Sequence, residues 1–240
     1  QPENAHWVDY GKDFYAAVTW ANYRTATGNK LWLGWMNNWQ YAQKLPTFPW
    51  RGSMSLVREL QLKSTNEGIK LVQIPVEALT ALRIEGQSWH NVPIAKLNAE
   101  LKKIANWTLP VEMKIKLLLN EQEKITFDLC IKDSAKLILT YDPGLKSLSL
   151  DRTASGKVDF DESFPAIMKA PVQKKNGELY LHIFLDTSSI EIFVNGGEYV
   201  LTSRFFPEAI DQLLRVRTES SSGMLKSFDI WRLKSIWSKK

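Results

Sequence analysis

Residues able to bind a polyol are concentrated in one stretch, Lys30 to Leu60, KLWLGWMNNWQYAQKLPTFPWRGSMSLVREL. Four of the ten tryptophans fall in it: Trp32, Trp35, Trp39 and Trp50. Beside them stand the amides of Asn37, Asn38 and Gln40. An indole face covers the C–H face of a sugar, while amides and hydroxyls fix its OH groups. The same residue types also build cores and turns, so packed tryptophans and an Asn-Asn turn remain the alternative.

The titratable residues offer less. Asp9, Lys12 and Asp13 share one segment, Asp9-Tyr-Gly-Lys-Asp-Phe-Tyr-Ala16. A carboxylate can accept from sugar hydroxyls and an ammonium can donate to them, but either can equally close a strand end. His6, His90 and His182 are far apart, without metal-ligand spacing, and no metal or cofactor is expected. Cys130 is the one cysteine, so no disulfide forms within the chain. In Phe127-Asp-Leu-Cys-Ile131 it reads as a core residue.

The net charge of +5 comes from scattered Lys and Arg, apart from a basic end at Lys234 to Lys240. That pattern lacks the basic stripe and module of a nucleic-acid binder. No apolar run approaches the roughly 20 residues that span a bilayer, so no membrane partner is expected. The opening Gln1-Pro-Glu-Asn-Ala5 is polar and does not read as a signal peptide.

The elements that must position these residues are nearly all strands. Asp13–Trp20 is rich in aromatic and β-branched residues, and Lys30–Met36 reads as a buried strand. Pro46 and Pro49 exclude a helix between Gln43 and Arg51. Ser53–Leu60 and Ile69–Ile74 follow as strands, with a turn at Asn66-Glu67-Gly68. Pro75–Arg83 predicts a short helix opened by its proline. Leu97–Ala105 carries apolar residues at helical spacing.

From Val111 onward the periodicity is two. Nine strands are predicted, at 112–119, 124–131, 136–141, 147–151, 178–186, 190–195, 199–202, 213–218 and 224–233. Asn195-Gly196 marks a tight hairpin, with Glu191 and Glu198 expected on its solvated rim. Two facing sheets follow from that count, and residues from about 110 to 235 are expected to fold without residues 1 to 75.

Four stretches carry a resemblance. GWMNNWQYAQKLPTFPWRGSMSLVREL resembles the last propeller blade of glycoside hydrolase family 32, the levanases, inulinases, fructan β-fructosidases and invertases. Asp9 to Ala16 resembles that family's D-x-G-x-D-F-Y-A segment. Leu148–Thr153 and Leu185–Asn195 resemble its C-terminal β-sandwich. The resemblance implies an all-β chain: a partial five-bladed β-propeller (its last blades) followed by a C-terminal β-sandwich. The implied boundaries are 1–75 for the propeller end, 76–90 for a linker with a short helix, and 91–240 for the sandwich. For Leu97–Ala105 the resemblance implies extended structure, against the helical spacing.

The implied activity is retaining hydrolysis of levan, inulin or sucrose by two carboxylates about 5–5.5 Å apart. The family carries its nucleophile in W-M-N-D-P-N-G, a stabilising Asp in R-D-P and an acid/base Glu in an E-C motif. Trp35-Met-Asn-Asn38 lacks the Asp and Pro of the first. Tyr141 precedes Asp142-Pro143, and Leu129 precedes Cys130. The expectation is therefore the C-terminal part of a fructan hydrolase, with no catalytic residue in this chain and a secreted origin. The substrate-side residues implied are Trp35, Asp9, Lys12, Trp39 and Asn38, with Trp35 favoured over Trp39 as the cover of the terminal fructose. An incomplete propeller also exposes strand edges that invite association. The alternative is a carbohydrate-binding or purely structural β module.

Overall fold

The computed structural model describes residues 7–23, 25–65, 68–219 and 223–236. His6, the opening Gln1–Ala5, the Asn66-Glu67 part of the expected turn and the last four residues of the basic end lie outside the described residues.

Among the described residues, fifteen strands form three antiparallel sheets. The first is a four-stranded meander of β1 (Tyr15–Thr19), β2 (Lys30–Trp35), β3 (Arg58–Thr65) and β4 (Gly68–Pro75), paired in that order. The predicted strand Ser53–Leu60 starts later than expected, because Leu56 gives its N–H to Glu191 instead of to a ladder. Before β3, Met54 makes only an isolated bridge to Trp35.

The second sheet holds β7 (Ile125–Lys132), β8 (Ala135–Asp142), β9 (Ser147–Asp151), β10 (Ile167–Ala170) and β14 (Gln212–Thr218). The third holds β5 (Arg83–Pro93), β6 (Val111–Leu118), β11 (Glu178–Leu185), β12 (Ser189–Val194), β13 (Tyr199–Arg204) and β15 (Met224–Leu233). These two sheets close over one core. Val111, Met113, Ile115 and Leu117 point inward from β6, and Leu137, Leu139 and Tyr141 meet them from β8. Glu112, Lys114 and Lys116 take the alternate positions on β6. Cys130 lies in this core, and burial pushes its thiol up to about 12, so it is a packed residue.

Residues 77–82 form a 3-10 turn, and β5 begins at Arg83. The expected linker at 76–90 is thus mostly a strand of the third sheet. Its sequence, RIEGQSWHNVP, has no clean alternation because β5 is an edge strand with one neighbour, β15. Trp89, packed on Phe228, is its one buried residue. β10, the other strand not predicted, is a four-residue edge. At 97–105 the helical spacing prevails. Helix α1 (Ile94–Leu101) buries Ile94, Leu97 and Leu101, and a 3-10 turn at Lys102–Ile104 buries Ile104. Those four apolar residues close the end of the core, and Asn98 ties the helix to both backbone groups of Val216 on β14.

Candidate functional site

The tryptophan-rich stretch places its rings at one end of the first sheet. Trp35 ends β2, opposite Tyr15 at the start of β1. Its ring lies at 4.9 Å from that of Trp39, tilted by 52°, and edge-on to Tyr15 at 6.2 Å. Trp39 is 65% exposed. Gly34 is required just before Trp35: a Cβ there would come within 2.6 Å of the Phe14 ring. Trp32, an odd step earlier on the strand, faces away and packs edge-on against Phe14 at 5.4 Å.

The amides between the rings build the turn. Asn37 is buried, donates to the Arg51 carbonyl at 2.9 Å and accepts from the Asn38 N–H. Asn38 donates to the Lys12 carbonyl at 2.9 Å and accepts from the Gln40 N–H. Both are turn formers, and Asn38 fixes the base of the Trp39 loop.

Asp9 and Lys12 are placed elsewhere. The Asp9 side chain is 2% exposed, and both of its oxygens are taken. Oδ1 accepts from the N–H groups of Gly11 and Thr202, and Oδ2 accepts from Arg58 Nη1 at 3.0 Å and from the Thr202 hydroxyl at 2.6 Å. Lys12 donates to the Ser163 carbonyl at 3.0 Å, and its pKa is lowered by burial, with Arg152 nearby adding to the effect. Of the five expected sugar contacts, the fold therefore groups Trp35 and Trp39, sets Asn38 beneath them, and directs Asp9 and Lys12 toward the boundary with the other two sheets.

That boundary is the dominant polar feature of the chain. Residues 9–13 run along β13, with Tyr10 and Asp13 donating to the Val200 and Thr202 carbonyls. Gly11 is needed for this approach, since a Cβ there would lie 1.9 Å from the Thr202 carbonyl oxygen. Arg58, fully buried, spans from Asp9 and Gln73 to Glu191 and Thr202. Its guanidinium stacks 4.0 Å from the centre of Phe14. Arg152, also fully buried, binds Asp13 at 2.5 Å, donates to the Tyr41 hydroxyl at 2.8 Å and reaches the Phe164 carbonyl. Tyr41 in turn donates to Asp13 at 2.6 Å. Burial, reinforced by Asp13, keeps that phenol protonated.

Two sequence readings change here. Glu191 is buried, not on a solvated rim, because the four-stranded sheet covers the outer face of β12. The Glu198 side chain is 2% exposed and pairs with Lys63 and Lys175. Arg58 bonds two carboxylates, Asp9 and Glu191, and Glu191 belongs to another sheet. Arg152 and Tyr41 show in the sequence only within the stretches that resemble family 32, and Arg204 is not marked there. Their signal was weak, because a lone Arg after a strand reads as surface unless a partner sheet is known.

A second polar cluster lies where the 3-10 turn meets the third sheet. Glu112 takes two bonds from Arg83, at 2.7 and 2.6 Å, and one contact from His182 at 2.7 Å. Burial opposes the charge on Glu112, but these partners outweigh it and hold the carboxyl at about 2. Burial holds His182 below the ordinary imidazole range. Among the described residues, no group of three or more His, Cys, Asp or Glu side chains is placed to hold a metal ion.

Comparison with known proteins gives the lineage. The family model described as Glycosyl hydrolases family 32 C terminal matches residues 78–232, and the Glycosyl hydrolases family 32 N-terminal domain matches residues 1–75. The chain belongs to glycoside hydrolase family 32. Within the family, the levanase of Bacillus subtilis (strain 168) is 34% identical over 252 aligned residues, covering 98% of this chain and 35% of the levanase. The extracellular exo-inulinase of Aspergillus awamori is 33% identical, covering 97% of this chain and 44% of the inulinase. The crystal structure of exo-inulinase from Aspergillus awamori superposes with a TM-score of 0.79 at 28% identity, over 98% of this chain and 46% of that one. Fructan 1-exohydrolase IIa from Cichorium intybus shares the fold, with a TM-score of 0.71 at 18% identity over 95% of this chain and 49% of that one. This family 32 chain thus spans less than half the length of these relatives.

The family match divides the chain at the seam the geometry shows. The first match ends with β4 at Pro75, and the second begins at Ala78, one residue into the 3-10 turn Glu77–Leu82 that precedes β5.

Proposed function

We propose that this chain supplies the terminal-sugar platform and its rigid mount in a β-fructosidase acting on levan, inulin or sucrose. In this reading the four-stranded sheet is the last blade of a five-bladed propeller, with β1 beside the axis. The five- and six-stranded sheets are the C-terminal β-sandwich that braces it. The Trp35 ring covers the apolar face of a terminal fructose, and Trp39 extends the platform outward. The observation that carries this is the Trp35–Trp39 pair, tilted at 4.9 Å with Trp39 open to solvent. The levanase and inulinase relatives support the substrate class, and the extracellular inulinase supports a secreted enzyme.

The retaining reaction needs a nucleophilic carboxylate and a second one that protonates the leaving oxygen and then activates water. Asp9 and Asp13 are locked in bonds to Arg58, Thr202, Arg152 and Tyr41, so neither is free to attack an anomeric carbon. We assign both roles to other blades of the propeller, and with them the choice of linkage. Asp9, bonded to Arg58 and Thr202, and Lys12, bonded to the Ser163 carbonyl, hold the platform in place.

Hydrolysis assays on the purified 240-residue chain test the division of labour. Levan, inulin and sucrose should release no fructose above a buffer blank, because the acid/base pair is missing. Release above a contaminant control would overturn the assignment. The competing reading, a non-catalytic binding or structural module, draws on the density of buried charge at the boundary. It requires that Trp35→Ala leave the intact hydrolase unaffected.

A further inference from the structure

A second aromatic surface lies at the other end of the blade. Trp20 follows β1 and bonds the Leu31 carbonyl, four residues before Trp35 on β2, which places it about 13 Å further along the strand. Trp20 is 40% exposed and Tyr23 is 53% exposed. They line a cleft of about 510 Å³ between the β1–β2 turn, Glu59 on β3 and the connector at Val76–Ala78.

The cleft is built and acceptor-rich. Its floor is apolar, with Leu31, Val57 and Val76. Its turn is fixed by its own bonds: Thr25 and Asn29 exchange backbone and hydroxyl contacts, and Thr25 meets Thr27 at 2.8 Å. Glu59 Oε1 accepts from Asn29 at 2.6 Å and from Thr27 and Gln61 at 3.2 Å. The Asn29 bond holds the Glu59 carboxyl below its ordinary range. Its Oε2 has no hydrogen-bond partner among the described residues. Glu77 adds a second carboxylate, and among the described residues no Lys or Arg lines the cleft.

Flat aromatic faces beside ionised acceptors suit a ligand with an apolar C–H face and many OH donors, and they repel polyanions. We propose that this cleft is a second carbohydrate site, distinct from the Trp35 platform, which binds a neutral fructan chain. The Trp20 and Tyr23 rings would stack on successive sugar units, and Glu59 Oε2 would accept from their hydroxyls. Holding a distant part of the polymer raises the local concentration of chain ends near the platform.

Native affinity electrophoresis of the 240-residue chain in gels containing levan, inulin or dextran tests this. The variants are Trp20→Ala/Tyr23→Ala, Tyr23→Ala alone, Glu59→Gln and Trp35→Ala/Trp39→Ala. Retardation by levan or inulin should fall at least about tenfold in the Trp20/Tyr23 double variant. It should fall about threefold for Tyr23→Ala and for Glu59→Gln, with circular dichroism unchanged because both rings are exposed. Retardation should persist in the Trp35/Trp39 variant and at about 0.5 M salt, since no ion pair is involved.

An unretarded wild-type chain would overturn the proposal, as would normal binding by the Trp20/Tyr23 variant. Loss of all binding in the Trp35/Trp39 variant alone would also sink it, while leaving the platform assignment intact. Binding that vanishes with salt and is displaced by a lysine-rich peptide would make the cleft a peptide site and overturn the sugar assignment. Failure of the platform shows separately, as an unchanged kcat/KM for Trp35→Ala in the intact hydrolase, whatever the gels show.

Discussion

Arg58 on β3 and Glu191 on β12 stand 2.7 Å apart, both buried, although they belong to different sheets. Desolvating two charges costs several kcal/mol, and the arrangement holds only because each has further partners. Arg58 also bonds Asp9, Gln73 and Thr202, and Glu191 also accepts the Leu56 N–H. The pair is the centre of a mount that fixes the four-stranded sheet, and with it Trp35, on the other two sheets.

Removing one partner strands the other. Arg58→Met leaves Asp9 and Glu191 buried without their cation and is expected to cost about 3–5 kcal/mol. Denaturant unfolding at neutral pH measures this. Glu59→Met at the neighbouring outward position should stay within about 1 kcal/mol. A loss below about 1 kcal/mol for Arg58→Met would show that the mount does not carry the joint.

The mount also couples the parts. Residues from 110 to 235 were expected to fold alone, but that cut discards β5 and α1, which belong to the same layers. Deleting residues 1–75 as well would leave Arg152, Arg204 and Glu191 without the partners in Asp13, Ser53 and Arg58. We expect one cooperative thermal transition for the whole chain and a markedly less stable 76–236 fragment. Two separated calorimetric transitions would contradict this.

Acid should loosen the second polar cluster. The carboxyl of Glu112 sits at about 2 against an ordinary 4.5, so its contribution is complete above pH 4.5 and fades as pH falls toward 2. His182 is held below its ordinary 6.5, so burying it neutral also favours the fold above that pH and penalises it below. Stability should therefore decline in two stages below pH 6.5. His182→Phe should flatten the upper stage and Glu112→Gln the lower. Urea midpoints across pH 2–7 read both, and an unchanged lower stage in Glu112→Gln would refute the assignment.

Trp35 and Trp32 should separate binding from stability. In the intact hydrolase, Trp35→Ala should lose about 2–4 kcal/mol of transition-state binding, or roughly 30- to 1000-fold in kcat/KM. Trp32→Ala, which unpacks the Phe14 contact, should lower the Tm and leave kcat/KM of the folded fraction nearly unchanged. Trp39→Ala should fall between them, because its ring is exposed and backs Trp35. The opposite pattern for Trp35 and Trp32 would move the sugar site off this strand end.

Local pattern carried much of this chain. Alternating residues such as Met113, Ile115 and Leu117 placed the inward face of β6, and Leu97, Leu101 and Ile104 placed the helical turns at the end of the core. Trp32 and Trp35, an odd step apart on β2, set their rings on opposite faces of the strand. These readings succeed because burial on one face imposes a period that the sequence must carry.

The remainder depended on which surface meets which. Ser189–Val194 alternates like a half-solvated strand, yet the four-stranded sheet covers its outer face and makes Glu191 the buried partner of Arg58. Asp9 reads equally as a sugar ligand or a strand end until Thr202 and Arg58 are seen to use both of its oxygens. Asp9 and Thr202 are 193 residues apart, and Arg152 and Asp13 are 139 apart. A buried charge has no local period, since its environment is set by the partner that desolvates it. The sequence by itself determined the family, most of the strands and the aromatic end of β2; only the packing of three sheets decided which carboxylates became structural.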